Sequence, residues 1–354
     1  MNATTEVAAA TDVRQNKLTD TGPFKLGSEA HKRLFCRTLL DTFDPYQPGV
    51  ADWPPLDPDI KARLTALPIW DMAVQTEDLA MRRVKAFADR ADDPLVKEAI
   101  ELDAFEEGRH RAVLDTLAQA YGLRLQPGRP WRDPVDPEWA FMVTGLGECI
   151  DSFFAFGLFE AARCSGYFPA PLIDPFERVI AEEGRHILFF VNWLAWRRRT
   201  LPWWRRPLFE LKVWGVWIVL ALERMSLAAG FDAAPVEEST FTITAAQEFG
   251  NGLGVAELMD ICLAENERRL GKYDPRLVRP TFVPRMVRLA RRFYLRRASA
   301  PPPAGGTEAA AGGRVGVGWA AVEVAASEGA PAATGAGTAR PGKTSSSGRV
   351  SGST

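Results

Sequence analysis

The pentapeptide Glu-Glu-Gly-Arg-His stands twice in this 354-residue chain, at 106–110 and at 182–186, and its copies use two of the chain's three histidines. A residue that scarce does not fall twice into one five-residue frame through composition. On a helix, Glu107 and His110 lie three apart and project from one face, as do Glu183 and His186. The repeat therefore asks for two helices whose Glu-x-x-His faces look into a shared interior.

The surrounding sequence supplies helices in the right places. Residues 70–90 carry helical periodicity and stop at Ala91-Asp92-Asp93-Pro94. Pro94 takes the first-turn position that a helix tolerates, and Gly122, after Tyr121, closes the segment it opens. A Pro/Arg loop at 126–137 leads to a third helix over about 138–164, ended by Gly166. Asp174-Pro175 starts a fourth, reaching about Trp196. Four long helices with two short hairpin loops and one longer crossover describe a bundle spanning 69–197.

Outside the bundle, residues 1–25 are polar and read as a mobile arm. A short amphipathic helix near 29–40 and a Pro/Asp-rich connector at 44–68 fill the 26–68 region. Further helices are expected at 208–230, 255–270 and 284–297, packing on the bundle or on a membrane surface. From 298 to 354 the chain is Ala, Gly, Pro, Ser and Thr, with almost nothing to build a core, which predicts disorder. No run reads as a strand, so the expected fold class is all-α.

A net charge of −2 hides an asymmetry: residues 1–186 carry 21 basic and 31 acidic side chains, whereas 187–297 carry 18 and 11. The acidic excess lies with the repeated motif and suits a cation site better than a nucleic-acid surface, so no nucleic-acid partner is expected. Four cysteines (Cys36, Cys149, Cys164 and Cys262) are scattered without a Cys-x-x-Cys, which argues for a reducing compartment and against zinc or an iron–sulfur cluster. Cys149 and Cys164 read as small core fillers, and His31 as a surface helix residue. The first residues lack the pattern of a signal peptide, and the apolar run at 213–222 is too short to cross a bilayer. A cytoplasmic location is the expectation, with peripheral membrane contact left open by Trp203, Trp204 and the basic amphipathic stretch at 284–297.

Two Glu-x-x-His pairs plus one Glu from each of two further helices form the inward ligand set of a two-metal helix bundle. Carboxylate oxygen with some imidazole nitrogen suits iron, and four carboxylates offset the charge of two ferric ions sharing an oxide. Manganese at one position stays open. In the first helix, hairpin counting from the loop near 91–94 places the partner of Glu107 near 78. Glu77 is there, and its neighbour Asp78 points about 100° away. In the third helix, Glu148, Asp151 and Glu160 are available. Counting favours a position near 151–156, which leaves Asp151 as the alternate to Glu148.

These motifs resemble the ferritin-like di-iron carboxylate superfamily, in particular the hydroxylase chains of bacterial multicomponent monooxygenases and the ribonucleotide-reductase-like bundles. That group shares an [Asp/Glu]-Glu-x-Arg-His motif on two helices with a Gly-Glu upstream of the second. Here Gly147-Glu148 precedes Glu183 by 35 residues and Glu77 precedes Glu107 by 30, both within the family's range. The resemblance covers about 70–196. It implies Glu77, Glu107, His110, Glu148, Glu183 and His186 as metal ligands, with Glu160 outside the set. It also implies that Glu106 and Glu182 each accept the ring N–H of the other motif's histidine, and that Arg109 and Arg185 pair with those acids. Ser152, four after Glu148, falls where the monooxygenases carry a Thr near the oxygen pocket, which implies a proton relay. The radical-bearing reductase subunits carry a Tyr one turn after the first His. Position 114 here is Leu, so no stored tyrosyl radical is expected.

The function implied is an O2-dependent di-iron oxidase or monooxygenase acting on a small-molecule or lipid-like organic substrate. Its electrons would come from an external reductase or ferredoxin, because no flavin, nicotinamide or iron–sulfur motif is present. One rival is a ferroxidase or iron-handling bundle; another is a non-enzymatic, membrane-associated interaction protein. Dimerisation is left open.

Overall fold

The computed structural model describes residues 24–48, 52–67, 69–128, 130–166, 168–228 and 254–298. The expected arm and tail lie outside these, apart from residues 24, 25 and 298. All described residues belong to the unit spanning Met1–Gly318, and the second unit, Trp319–Thr354, holds none of them. Nine helices are described: α1 (Glu29–Asp41), α2 (Pro58–Ala66), α3 (Trp70–Ala88), α4 (Pro94–Tyr121), α5 (Pro137–Ser165), α6 (Ala170–Thr200), α7 (Arg206–Ala228), α8 (Val255–Gly271) and α9 (Phe282–Ala298). The fold is all-α, with no strand among the described residues.

Local chemistry sets the ends of the central helices. The Asp93 carboxylate caps α4 by accepting from the backbone N–H of Leu95 and of Val96, each at 3.1 Å, with Pro94 in the first turn. Asp136 caps α5 through Trp139 N–H at 3.0 Å, ahead of Pro137. Gly122 and Gly166 end these two helices at φ 73° and 65°, a left-handed conformation that only glycine adopts without strain. Two expectations are corrected. The 44–68 connector contains a helix, α2, opened by Pro58 after Asp57. And α6 begins at Ala170 rather than at Asp174-Pro175, so Pro175 lies inside it. So close to the start of a helix a proline removes a single interior backbone bond, which the packing of α6 outweighs.

Helices α3 and α4 form one hairpin and α5 and α6 another, with α3 also packed on α5. Two apolar layers fix their directions. One layer combines Phe87, Ile100, Phe141, Phe189, Phe190 and Trp193. Its rings meet closely: Phe87 stacks on Phe141 at 4.7 Å, and Trp193 meets Phe141 edge-on at 4.8 Å between centroids. The other combines Ile69, Leu117, Tyr121, Phe168, Leu172 and Ile173 with Leu64 and Leu67 from the α2 region. Helices α3 and α6 run from the second layer to the first, and α4 and α5 run the opposite way. The repeated pentapeptides fall midway between the two layers.

The α5 helix is the one described helix long and apolar enough to cross a membrane, yet 72% of its apolar window is buried within the protein. The α8 helix seats directly on it. A Cβ at Gly157 would lie 2.3 Å from Cys262 Sγ and 2.8 Å from its Cα, so glycine is required for that approach.

His31 is not a surface residue, which corrects the expectation. It is fully buried, its Nε2 lies 3.0 Å from Asn192 Oδ1, and its ring packs between Phe24 and Phe35. Cys149 is buried as expected, whereas Cys164 is exposed and its thiol donates to Glu160 at 3.1 Å.

Candidate metal centre

Helix α4 delivers Glu107 and His110, and α6 delivers Glu183 and His186, so that one donor atom from each lies within 4.8 Å of the others. The two imidazoles face each other with centroids 5.5 Å apart and planes inclined by 30°. All four side chains are buried or nearly so.

The second acid of each motif is crossed onto the other motif's histidine. His110 Nε2 lies 2.9 Å from Glu182 Oε2, and His186 Nε2 lies 2.8 Å from Glu106 Oε2. With Nε2 engaged outward, each ring turns Nδ1 toward the centre. His110 Nδ1 is 3.2 Å from Glu183 Oε1 and 3.5 Å from Glu77 Oε2. His186 Nδ1 is 2.8 Å from Glu107 Oε1 and 3.6 Å from Asp103 Oδ1. These inward approaches are close in distance but off the axis of a hydrogen bond, so both Nδ1 atoms, Glu107 Oε1, Glu148 Oε1 and Asp103 Oδ1 are buried without a hydrogen-bond partner.

Arginines hold the crossed acids from behind. Arg185 Nη2 donates to Glu106 Oε1 at 2.6 Å, and Arg109 Nη2 donates to Glu182 Oε1 and, at 3.3 Å, to Glu106 Oε1. The guanidiniums also clasp the end of α1 and the stretch after it: Arg109 donates to the carbonyls of Asp44 at 2.6 Å and Tyr46 at 3.3 Å, beyond the helix, and Arg185 to that of Leu39 at 3.1 Å, in its last turn. The Tyr46 hydroxyl donates to Glu182 Oε2 at 3.2 Å, and its ring lies under Arg109 at 4.0 Å.

These contacts separate the acids electrostatically. Burial raises the Glu106 pKa, but His186 and Arg185 outweigh it and hold the carboxyl at about 2. Glu107 and Glu148 are pushed well above the usual carboxylate range, by burial first and then by neighbouring carboxylates. Asp103 rises to about 6, chiefly from burial, with Glu106 and Glu183 adding to it against the attraction of His186. Burial pulls both histidines down, yet the surrounding carboxylates win and raise them well above 6.5. Without a cation, then, the centre has more negative charge than it can solvate. Protons held between its groups are the remaining compensation.

The third-helix alternatives part here. Glu148 points its unpartnered oxygen inward, while Asp151 is held at 2.9 Å by Arg224 from α7. Ser152 donates to Glu183 Oε2 at 3.0 Å. Glu77 reaches the centre beside His110, and Asp78 is turned away onto Arg82 and Arg111. Glu160 pairs with Arg163 outside the centre. A cavity of about 170 Å³ adjoins the acids, with Ala73, Ala80, Leu114, Phe176, Val179 and Ile180 on its apolar side.

Compared with known protein families, with curated proteins and with solved structures, the chain finds no match. The donor chemistry must therefore speak for itself. Two glutamates and two histidines at this spacing can hold metal ions, and the orphaned Nδ1 and carboxylate atoms are the kind of buried polar group that persists when a cation satisfies it. One participant had no local signature and another only a partial one. Tyr46 comes from a loop 136 residues away from Glu182, and Asp103 carries only the hint of standing one turn before Glu107.

Proposed function

We propose that this chain is a di-iron oxidoreductase that uses dioxygen to oxidise an organic substrate, most simply by hydroxylation. The reading is carried by the convergence of Glu107, His110, Glu183 and His186, one donor atom from each within 4.8 Å of the others, backed by the crossed Glu–His pairs. Glu107, His110, Glu183 and His186, joined by Glu77 and Glu148, are the side chains that would hold two ions. Bound there, iron would supply the electron transfer to dioxygen that side chains alone cannot perform. The same oxygen and nitrogen donors suit manganese at one position.

The chain's own residues set the conditions. Glu106 and Glu182 keep a proton on the outward Nε2 of His186 and His110, so a bound cation would displace only the inward Nδ1 proton and take that lone pair. Arg109 and Arg185 fix those acids in place and stop them rotating into the centre. The Ser152 hydroxyl, on Glu183 Oε2 and on the cavity wall, offers a proton donor beside the reacting space. The apolar side of the cavity would limit the water around a strong oxidant. At about 170 Å³ the cavity compares with one of about 150 Å³ that admits benzene. That suits the reacting end of a substrate better than the whole of a large one. A separate reductase or ferredoxin would supply electrons.

The test is anaerobic loading with ferrous iron, a metal count per chain, and then admission of oxygen while uptake and visible absorption are followed. The reading expects about two irons per chain, as the six-ligand set requires, and an oxygen-dependent band. Metal content no higher than background sinks it. Iron oxidised with no demand for an organic co-substrate would assign the chain to iron handling instead. His110→Ala and His186→Ala should each lose iron and oxygen uptake while keeping the far-UV circular dichroism of the parent, because the apolar layers remain packed. Unaltered iron content in either variant would mean that the ions sit elsewhere.

A further inference from the structure

The outward side of α7 is apolar where a surface helix normally carries charge. Leu208, Leu211, Trp214, Ile218 and Leu222 are each more than half exposed, and Met225 is 49% exposed. Steps of three and four residues put them in one stripe, about 26 Å long at 1.5 Å per residue. The opposite side, with Phe209, Val213, Val216 and Leu220, is buried where the helix packs on α5. Polar residues occupy only the flanks and are drawn back to the protein: Glu210 to Arg198, Lys212 to Asp136 and Glu138, and Arg224 to Asp151. From Leu211 to Leu222 the outer stripe carries no charge.

What borders the stripe is aromatic and basic. Trp203 and Trp204, just ahead of α7, are 79% and 54% exposed, and Arg205 lies over the Trp204 ring at 4.6 Å. The start of α9 adjoins α7 through Trp217 and Phe282, whose rings are 4.6 Å apart. The α9 helix carries six arginines and no acid. Arg291 pairs with Asp260, but Arg285, Arg288, Arg292 and Arg296 are exposed and have no ion-pair partner among the described residues. Phe293 stands exposed beside them.

We propose that this face docks onto an anionic lipid surface. The α7 stripe enters the boundary between headgroups and acyl chains, the two tryptophans anchor one end of it, and the α9 arginines bind lipid phosphate and carboxylate. An apolar ridge bordered by tryptophan and unpaired arginine is how an interfacial helix gains both hydrocarbon burial and counter-charge. A second copy of the chain fits less well. A two-fold pairing sets like patch against like patch, so it doubles the number of unpaired α9 arginines at the contact, and α9 itself brings no acid to meet them. The inference does not depend on the metal reading.

The test is co-sedimentation of the full chain with vesicles of phosphatidylcholine alone and with phosphatidylserine added. Binding is expected on the anionic vesicles, weak on the neutral ones, and released by salt. The Ile218→Glu/Leu222→Glu pair should lower the vesicle-bound fraction about tenfold or more, since it sets two charges in the acyl boundary. Arg288→Glu/Arg292→Glu should weaken anionic binding similarly and remove its salt dependence. All four positions are exposed, so both pairs should melt with the parent, which circular dichroism checks. Recovery of the parent chain that is equal on both vesicles, or absent from both, overturns the proposal, as does an α7 variant that pellets like the parent. A lipid-free dimer that Ile218→Glu/Leu222→Glu dissolves would give the face to a second copy and equally overturn it.

Discussion

At the scale of single residues, Asp103 is the side chain whose cost is easiest to measure. It is 3% exposed, has an unpartnered oxygen, and has a pKa raised from 3.8 to about 6, mainly by burial. Below about pH 3 it is protonated in both the folded and the unfolded chain and costs nothing. As pH rises, the unfolded chain releases the proton first, so the metal-free fold loses stability until about pH 6, and the loss is then constant. Asp103→Asn should therefore stabilise the metal-free protein on the order of 2 kcal/mol at neutral pH and have no such effect near pH 3. It should also shrink the melting-temperature gain on adding ferrous or manganous ion, because one negative group has left the cation's surroundings. Denaturant titrations at the two pH values, with chelator and with metal, check both halves; equal stability of parent and variant at neutral pH would refute the first. The inward Glu107, His110, Glu183 and His186 were legible because their spacing repeats. Asp103, one turn before Glu107, was half legible: its spacing offered a place beside that ligand or an ordinary polar position, and the structure buries it. Tyr46 was not legible, since its place depends on which distant segments meet. His31 was misread from its charged neighbours Glu29 and Lys32, although Leu34, Phe35, Thr38 and Leu39 at helical spacing already marked that face as buried.

At the scale of elements, capping chemistry was the most readable signal. Asp93-Pro94, Gly122 and Gly166 each mark the end they were expected to mark, whereas Asp136-Pro137, read as the last of a loop, turns out to cap and open α5. The misplaced α6 start has a tertiary origin: Phe168, Leu172 and Ile173 join the second apolar layer, and their burial extends the helix past the proline that should have begun it. Helix contact is tightest at Gly145 on α5, where an added Cβ would lie 2.1 Å from the ring of Phe190. That ring is fully buried and packs edge-on to Phe141 at 5.5 Å, so it has nowhere to retreat. Gly145→Ala should destabilise the protein by about 1–3 kcal/mol, the usual range for overpacking. Gly271→Ala, where a new Cβ meets nothing within 4 Å, should leave the melting temperature close to that of the parent. Paired thermal melts decide it.

At the scale of the whole molecule, the repeated motif makes the centre the place where two hairpins meet. Without a cation it brings several carboxylates together in a dry interior, which opposes that meeting. A metal that binds only the folded chain should raise its stability by about 2.7 kcal/mol at a free concentration a hundred times the dissociation constant. The melting temperature should accordingly climb with added ferrous or manganous ion under anaerobic conditions and return on chelation, and His110→Ala should abolish the shift. A parent chain whose melting temperature ignores both ions would contradict this. The all-α class and the order of the four central helices followed from periodicity and turn residues alone. The outward apolar side of α7 did not, because an apolar run reads the same whether its second face meets protein or nothing.

The crossing of acids and rings means that neither pentapeptide is a self-sufficient unit. Glu106 serves His186, eighty positions downstream, and Glu182 serves His110, seventy-two positions upstream. Damage to one copy is thus felt first by the imidazole of the other, and neighbours along the chain are functional strangers. A slip of α4 past α6 by one turn would break both couplings together, so the duplicated signature behaves as a two-pin latch that sets the vertical alignment of the hairpins.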